Sequence, residues 1–385
     1  MTKVLINGLF LTQPKSVVQR YAFETLRALD ELLSTRAAPA GLSFSVIAPA
    51  NAKTLRLRNI GFEHVGWTRG HSWEQITLAL QARGHFLMNL CPSAPLLCSN
   101  QSITLHDTAL IAQPGPVGLL KQLWRRVLLP HLVRRVSYLM AVSNCAKWEL
   151  VERCGADAER VHVSGEGWEH VRRVHSDPEL LQRHQLLERP YLLVVGGLDP
   201  LRNLDLVTRT CRRLRLHGVR IVVAGSSDRR SIEQLDLGRY PNLRLLGEVT
   251  DQQLRALYEH ALALVYTPRQ NGAEFMPLEA MAFHCPVLSA RTPLAKEICG
   301  EAALYFHPQD PEGLLRLAVR LLEQPAVTTD LAHRGFRWLR RRSWRAAAEE
   351  HLSALLHYCN RRSNPVQGSD THRIFQEPSD VRHAV

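Results

Sequence analysis

Two glutamates, a histidine–aspartate pair and a pair of glycines followed by an arginine are the residues of this chain whose types and spacing could do chemistry. Glu274 and Glu279 lie in PRQNGAEFMPLEAMAFHCP, where a loop rich in Asn and Gly runs into LEAMA, a run of strong helix formers. The first N–H groups of such a helix have no partner inside it and attract anions, so a phosphorylated ligand could be held there. His106 and Asp107 end the run ITLHD. That places an imidazole and a carboxylate at the carboxyl end of a strand, where open α/β sheets bind ligands. Gly196 and Gly197 follow the buried-strand pattern YLLVV, with Arg202 and Asn203 close behind; the glycines let a ligand approach the backbone, and an arginine can grip a diphosphate with its fork of donors. Each signal has a plain alternative: an HD dipeptide can simply bridge a loop, and a glycine pair can simply turn the chain.

The elements that must position these residues alternate. Residues 4–8 read as a strand entering a glycine turn, Val17–Leu33 as an amphipathic helix, Leu42–Ala48 as a second strand, and residues 140–143 and 161–163 as later strands of the first half. Gly165, Glu166 and Gly167 begin a crossover. Strand patterns ending in glycine recur at 191–197, 221–225 and 243–247, followed by strands at 262–267 and 287–289. Strands alternating with helices imply parallel, doubly wound sheets. The expected organisation is an N-terminal domain over 1–170, a charged linker over 171–189, a C-terminal domain over 190–345, a closing helix over 346–363 and a disordered polar tail over 364–385. Helices are expected at 311–322 and 343–358.

Composition bounds the partners. With 385 residues, 45% of them hydrophobic, the chain can bury two cores of ordinary size. A net charge of +12 suits an acidic partner such as a phosphorylated substrate or an anionic membrane surface. The basic residues are not interleaved with aromatics in one run, so nucleic acid is not expected as a partner. Residues 119–139 (LLKQLWRRVLLPHLVRRVSYL) form a candidate basic amphipathic helix carrying Lys121, Arg125, Arg126, Arg134 and Arg135; its plain alternative is a helix packed on the sheet with a charged outer face. Eight cysteines without a CxxC pair argue for a reducing compartment and against structural zinc. With no signal-peptide pattern and no apolar run near the roughly 18 residues of a membrane span, a cytoplasmic protein is expected, peripheral on the inner face of the membrane where it meets lipid.

The segments PLEAMA, CPVLSA and KEICGEAALYFHP resemble the donor-binding region of the retaining glycosyltransferases of family four, the group 1 transferases with the GT-B fold. The resemblance implies an α/β fold of two Rossmann-like, doubly wound parallel-sheet domains facing a cleft, with the last helix crossing back to the first. It implies a metal-independent retaining transferase that moves a hexose, mannose from GDP-mannose as the first guess, onto a growing lipid-linked polysaccharide or other oligosaccharide acceptor. No cofactor is expected, and no Asp-x-Asp of the kind that binds a divalent cation occurs. By resemblance, His106, Asp107 and Glu274 are the catalytic candidates. Gly196, Gly197, Arg202, Asn203, Asn271, Gly272, Phe275, Met276, Pro277, Leu278 and Glu279 would bind the donor, and Gly8 and Arg20 would face the acceptor. The chain departs from the pattern where the first motif glutamate would stand: eight positions before Glu279 is Asn271, which keeps hydrogen bonding but not charge. Glycines of the family are also replaced at Val17, Glu274 and His284. These departures keep two alternatives in view, a sugar-nucleotide epimerase of the same fold and a catalytically weakened partner subunit.

Overall fold

The computed structural model describes residues 2–14, 16–35, 41–106, 129–196, 204–225, 239–268 and 274–363. Asp107, Gly197, Arg202, Asn203, Asn271 and Gly272 lie outside the described residues, as do Lys121, Arg125, Arg126 and the tail from 364.

Seven parallel strands form the first sheet: β1 (Thr2–Asn7), β2 (Leu42–Ala48), β3 (Gly61–His64), β4 (Phe86–Asn89), β5 (Gln101–Leu105), β6 (Tyr138–Ala141) and β7 (Val161–Val163), in the order β3-β2-β1-β4-β5-β6-β7. Six parallel strands form the second: β8 (Tyr191–Val195), β9 (Arg220–Ala224), β10 (Leu243–Gly247), β11 (Ala263–Tyr266), β12 (Val287–Ala290) and β13 (Leu304–Phe306), in the order β10-β9-β8-β11-β12-β13. Central strands such as QSITL and RIVVA are buried along their whole length, as parallel strands covered on both faces must be. The expected two-sheet fold is therefore the observed one. The order reverses between β1 and β4 in the first sheet and between β8 and β11 in the second, and such reversals open crevices at the carboxyl ends of the strands.

Four helices place the residues of interest: α1 (Val17–Leu33), α2 (Asp251–His260), α3 (Met276–Ala282) and α4 (Trp344–Ser363). The apolar stripe of α1, with Tyr21, Leu26, Leu29 and Leu32 buried, packs against α4. In turn α4 contributes Trp344, Ala347, Ala348, Leu352 and Leu355 to the core of the first domain, so the final helix does return to it.

Packing adds three features to these expectations. The segment 171–189, expected as the linker, takes up the end of a 3-10 turn, Glu169–Arg173, and a short helix, Glu179–Arg183, and it buries Val171, Leu180, Leu181 and Leu186 in the core of the second domain. Its leucines are spaced among charges, which hides their common direction. The candidate helix at 119–139 is described only over Leu129–Arg135 and has ended before Tyr138, which opens β6. A further helix, Pro325–Trp338, fills the stretch between the two expected closing helices; its weak periodicity conceals it, although Pro325 stands at its favoured first-turn position.

At the crossover, the backbone of Gly167 is pressed against the start of α4. A Cβ at Gly167 would lie 2.2 Å from the Trp344 nitrogen, and the Glu169 carboxylate accepts that same N–H at 3.1 Å. Gly167→Ala should therefore destabilise the protein by about 1–3 kcal/mol or more through overpacking against backbone. Urea unfolding that gives an unchanged midpoint would show that the contact relaxes freely.

Candidate active site

At the switch point of the first sheet, β1 ends in Asn7 and Gly8 follows it. Asn7 donates both amide hydrogens, to Glu74 Oε1 and to Asn89 Oδ1, each at 2.9 Å, and accepts the Leu9 N–H at 3.1 Å. Gly8 gives its N–H to the Ile47 carbonyl at 2.8 Å, and a Cβ there would stand 2.8 Å from the same oxygen. Close approach to β2 thus accounts for this glycine before any acceptor does.

His106 follows β5, one strand from the switch. It stands at the carboxyl end of the strand, as expected, and is buried, only 2% exposed. The reason is Tyr21 of α1, whose ring meets the imidazole edge-on at 4.6 Å. Neither ring nitrogen has a well-formed hydrogen bond among the described residues. Burial, opposed only by the Leu90 backbone, lowers the His106 pKa to about 4, which leaves it neutral at pH 7. Tyr21 is itself fixed, with its hydroxyl 2.8 Å from Ser164 Oγ and 3.0 Å from His351 Nε2, while Ser164 Oγ donates to the Ala347 carbonyl at 3.2 Å.

The donor segment contributes α3 and the two residues before it. Glu279, in the first turn of α3, is 7% exposed and accepts two hydrogen bonds, from His170 Nε2 at 2.9 Å and from the Tyr258 hydroxyl at 3.1 Å. The Trp344 indole N–H reaches His170 Nδ1 at 3.1 Å. An indole nitrogen can only donate, so Nδ1 carries a lone pair, the proton sits on Nε2, and His170 donates that N–H to Glu279 in a hydrogen bond. Burial would push the Glu279 carboxyl up, but the His170 and Tyr258 hydrogen bonds and the Arg20 charge outweigh it and hold the group below its ordinary range. Pro277 and Leu278 are buried, Leu278 within the core of the second domain, and Met276 is half-buried beside that core. Phe275 is a packing residue, set edge-on to Trp344 at 5.4 Å in the core of the first domain.

Arg20, expected to face the acceptor, instead crosses between the domains and pairs with Asp251 of α2 at 2.6 Å. Arg173 of the crossover pairs with Glu24 one turn further along α1. Beside the Arg20–Asp251 bridge lies a cavity of about 210 Å³ lined by Phe10, Leu11, Phe23, Lys53 and His170, among others. A larger one, about 440 Å³, lies between residues 75–85 and 97–100 of the first domain, away from both switch points, so size alone does not locate the site. Glu274 is half-buried before α3, and its backbone N–H bonds to the carboxyl of Glu166, a residue the sequence offered only as part of a turn. Sequence reading also missed His170, Tyr258 and Trp344, and only the aromatic type of Trp344 at a helix start was there to be noticed. Among the described residues, no group of three or more His, Cys, Asp or Glu side chains could hold a metal ion.

Because Glu279 is ionised below its usual range, it stabilises the fold above the unfolded glutamate pKa, and that contribution is lost as pH falls through its folded value. Glu279→Gln should lower the melting temperature clearly at pH 7, and the gap to the unmodified protein should close as the medium is acidified below the ordinary glutamate range. A gap that stays constant with pH would show that the charge has no part in it.

Comparison with known proteins follows the same geometry. Residues 189–324, which hold β8 to β13 and the α3 segment, match the family described as Glycosyl transferases group 1. The O-antigen chain mannosyltransferase RfbU of Salmonella typhimurium is 28% identical over 233 residues, a match that spans 60% of this chain and 62% of RfbU. Among solved structures, sucrose-phosphate synthase from Thermosynechococcus elongatus superposes with a TM-score of 0.69 at 14% identity, covering 94% of this chain and all of that one. Anabaena HepE in complex with UDP and glucose gives 0.65 at 16% identity, covering 92% of this chain and all of that one. Residues 189–324 thus resemble a group 1 glycosyltransferase domain, and the chain as a whole has the two-sheet GT-B fold of these structures.

Proposed function

We propose that this protein is a retaining, metal-independent hexosyltransferase that takes its sugar from a nucleotide donor, GDP-mannose first, and adds it to a glycan acceptor. The observation that carries the reading is a continuous run of rings joining the two domains. His106 meets Tyr21, Tyr21 meets Trp344 at 5.7 Å, and Trp344 touches both Phe275 and His170, which holds Glu279. A strand-end histidine of one sheet and the donor helix of the other are thereby fixed relative to each other, as a reaction between two bound substrates requires.

In this reading the donor nucleotide lies on the second domain, near Gly196 and the start of α3. Arg202 and backbone N–H groups would stabilise the negative charge that develops on the departing diphosphate, so no metal step enters. Asn271 and Glu274 take the sugar side. The acceptor hydroxyl arrives from the first domain and attacks the face that the leaving group vacates. His106, uncharged at pH 7, can accept a hydrogen bond from a hydroxyl without placing a cation beside the developing oxocarbenium. The mannosyl choice follows RfbU, whose name states that activity. A thermal-shift panel of GDP-mannose and other nucleotide sugars tests the donor, since a ligand that binds only the folded state raises its stability. Turnover with the best donor should then fall about 10- to 100-fold in His106→Ala, the scale of one strong hydrogen bond, with donor affinity changed less. A donor that binds without any turnover would make this a non-catalytic subunit.

The acceptor is assigned as lipid-linked, and an anionic membrane as the surface on which it is met. No helix among the described residues is long and apolar enough to cross a membrane. Arg134 and Arg135 close the helix Leu129–Arg135, and Lys121, Arg125 and Arg126 precede it in sequence. Each cation near such a surface is worth about 1 kcal/mol and is screened by salt. Pelleting with anionic vesicles should be reversed by salt, and pelleting indifferent to salt would strike the assignment.

A further inference from the structure

Glu166 has no role in the account above, yet its setting is unlike that of any other carboxyl described. It stands in the crossover between Gly165 and Gly167, 4% exposed, at the point where the chain leaves the first sheet for the second. The Glu274 N–H bonds to its carboxyl, while among the described residues its Oε1 has no hydrogen-bond partner. The groups that face it are Glu274 and Glu279 of the donor segment, Arg342 just before α4, Tyr21 of α1 and Tyr266 at the end of β11. Three carboxyls thus converge on a buried region. Glu279 has two donors and the Arg20 charge to keep it ionised, whereas Glu166 has one backbone N–H, the Arg342 charge and an idle oxygen. Like charges so placed cannot all ionise, and the least supported group keeps its proton.

We propose that Glu166 is a positioning residue of the donor site: its buried carboxyl accepts the Glu274 N–H and so fixes the start of the donor helix, while carrying no third negative charge against Glu274 and Glu279. The proposal deepens the donor reading and rests on it. Ionisation of Glu166 would strengthen its bond from the Glu274 N–H but set a third negative charge beside the Glu274 and Glu279 carboxyls, and that repulsion pushes the donor segment away. Burial, the dominant influence, with Arg342 opposing it and Glu274 reinforcing it, raises the Glu166 pKa to about 8, so the change falls in a range open to experiment. A carboxyl whose folded pKa is raised contributes stability that is complete below its unfolded pKa and is gone once pH passes the folded value.

The test compares the full chain with Glu166→Gln, which keeps the shape of the acid but cannot ionise. UDP and GDP affinities are measured by calorimetry from pH 7 to 9, and melting temperatures from pH 5 to 9. The unmodified protein should lose nucleotide affinity by up to about tenfold per pH unit above the Glu166 transition, while Glu166→Gln shows no such loss. The melting temperature of Glu166→Gln relative to the unmodified protein should rise as pH goes from 5 to 9. Parallel affinity profiles for the two proteins, or no alkaline loss in either, would overturn the positioning role even if the melting temperatures diverge. A melting-temperature difference that does not change with pH would overturn the neutral acid. If neither nucleotide binds at any pH, the donor reading and this proposal fall together, whereas binding with the wrong pH dependence removes Glu166 alone.

Discussion

An indole N–H has one thing it can do in a buried polar cluster, which is to donate. Trp344 makes that donation to His170, and the consequences run outward in order: His170 must carry its proton on Nε2, Glu279 accepts a hydrogen bond from that N–H, and with the Tyr258 hydroxyl donating to its other oxygen Glu279 stays a carboxylate. The same Trp344 begins the helix that closes the first domain, packs on Phe275 from the donor segment, and has its backbone nitrogen against Gly167 of the crossover. Tautomer, charge state and domain contact are thus set by one residue that belongs to both halves of the molecule.

The ion pairs between the domains are of a different weight. Arg20 and Asp251 are 22% and 40% exposed in their side chains, and Arg173 opposite Glu24 is 40% exposed. Partly exposed pairs contribute about 1 kcal/mol or less each, because water and side-chain entropy offset most of the attraction. They set which faces meet more than how firmly. The buried rings around Trp344 carry the larger share, since aromatic side chains bury the most apolar surface per residue and add edge-to-face contacts to it. The polar atoms among those rings specify an arrangement that an all-apolar junction would leave loose.

Much of this was legible in the sequence, and what was not shares a cause. The bounds of α1 and β2 follow from clean periodicity, three to four residues for VVQRYAFETLRALDELL and a β-branched apolar run for LSFSVIA. By contrast β3 (GFEH) is largely exposed at the sheet edge and β4 (FLMN) has only four residues, so neither carries enough pattern to stand out. In the site, residue types drew attention to Glu279 and His106, but not what surrounds them. His170 is 109 positions from Glu279 and 174 from Trp344, and nothing in a charged stretch such as EHVRRVHSD announces a partner that far away. Glu166 stood out less, because its two flanking glycines suit a cleft-lining turn and a plain turn equally well. Arg20 was noticed for its place in the chain, but a helix-surface arginine gives no sign that Asp251 of a second domain will pair with it.

The return of α4 to the first domain bears on how the protein is made. The apolar face of α1 is covered by Ala347, Ala348, Leu352 and Leu355, so the first half of the polypeptide emerges from the ribosome without the surface that will close its core. Roughly two hundred further residues must be synthesised before that helix appears, which at the usual elongation rates takes on the order of 10–40 s. Throughout that interval a seven-stranded parallel sheet, slow to form by its topology, waits with one flank uncovered. The nascent first domain is therefore the stage of this protein's life most dependent on chaperones, and a premature stop late in the message damages the N-terminal half as surely as the C-terminal one.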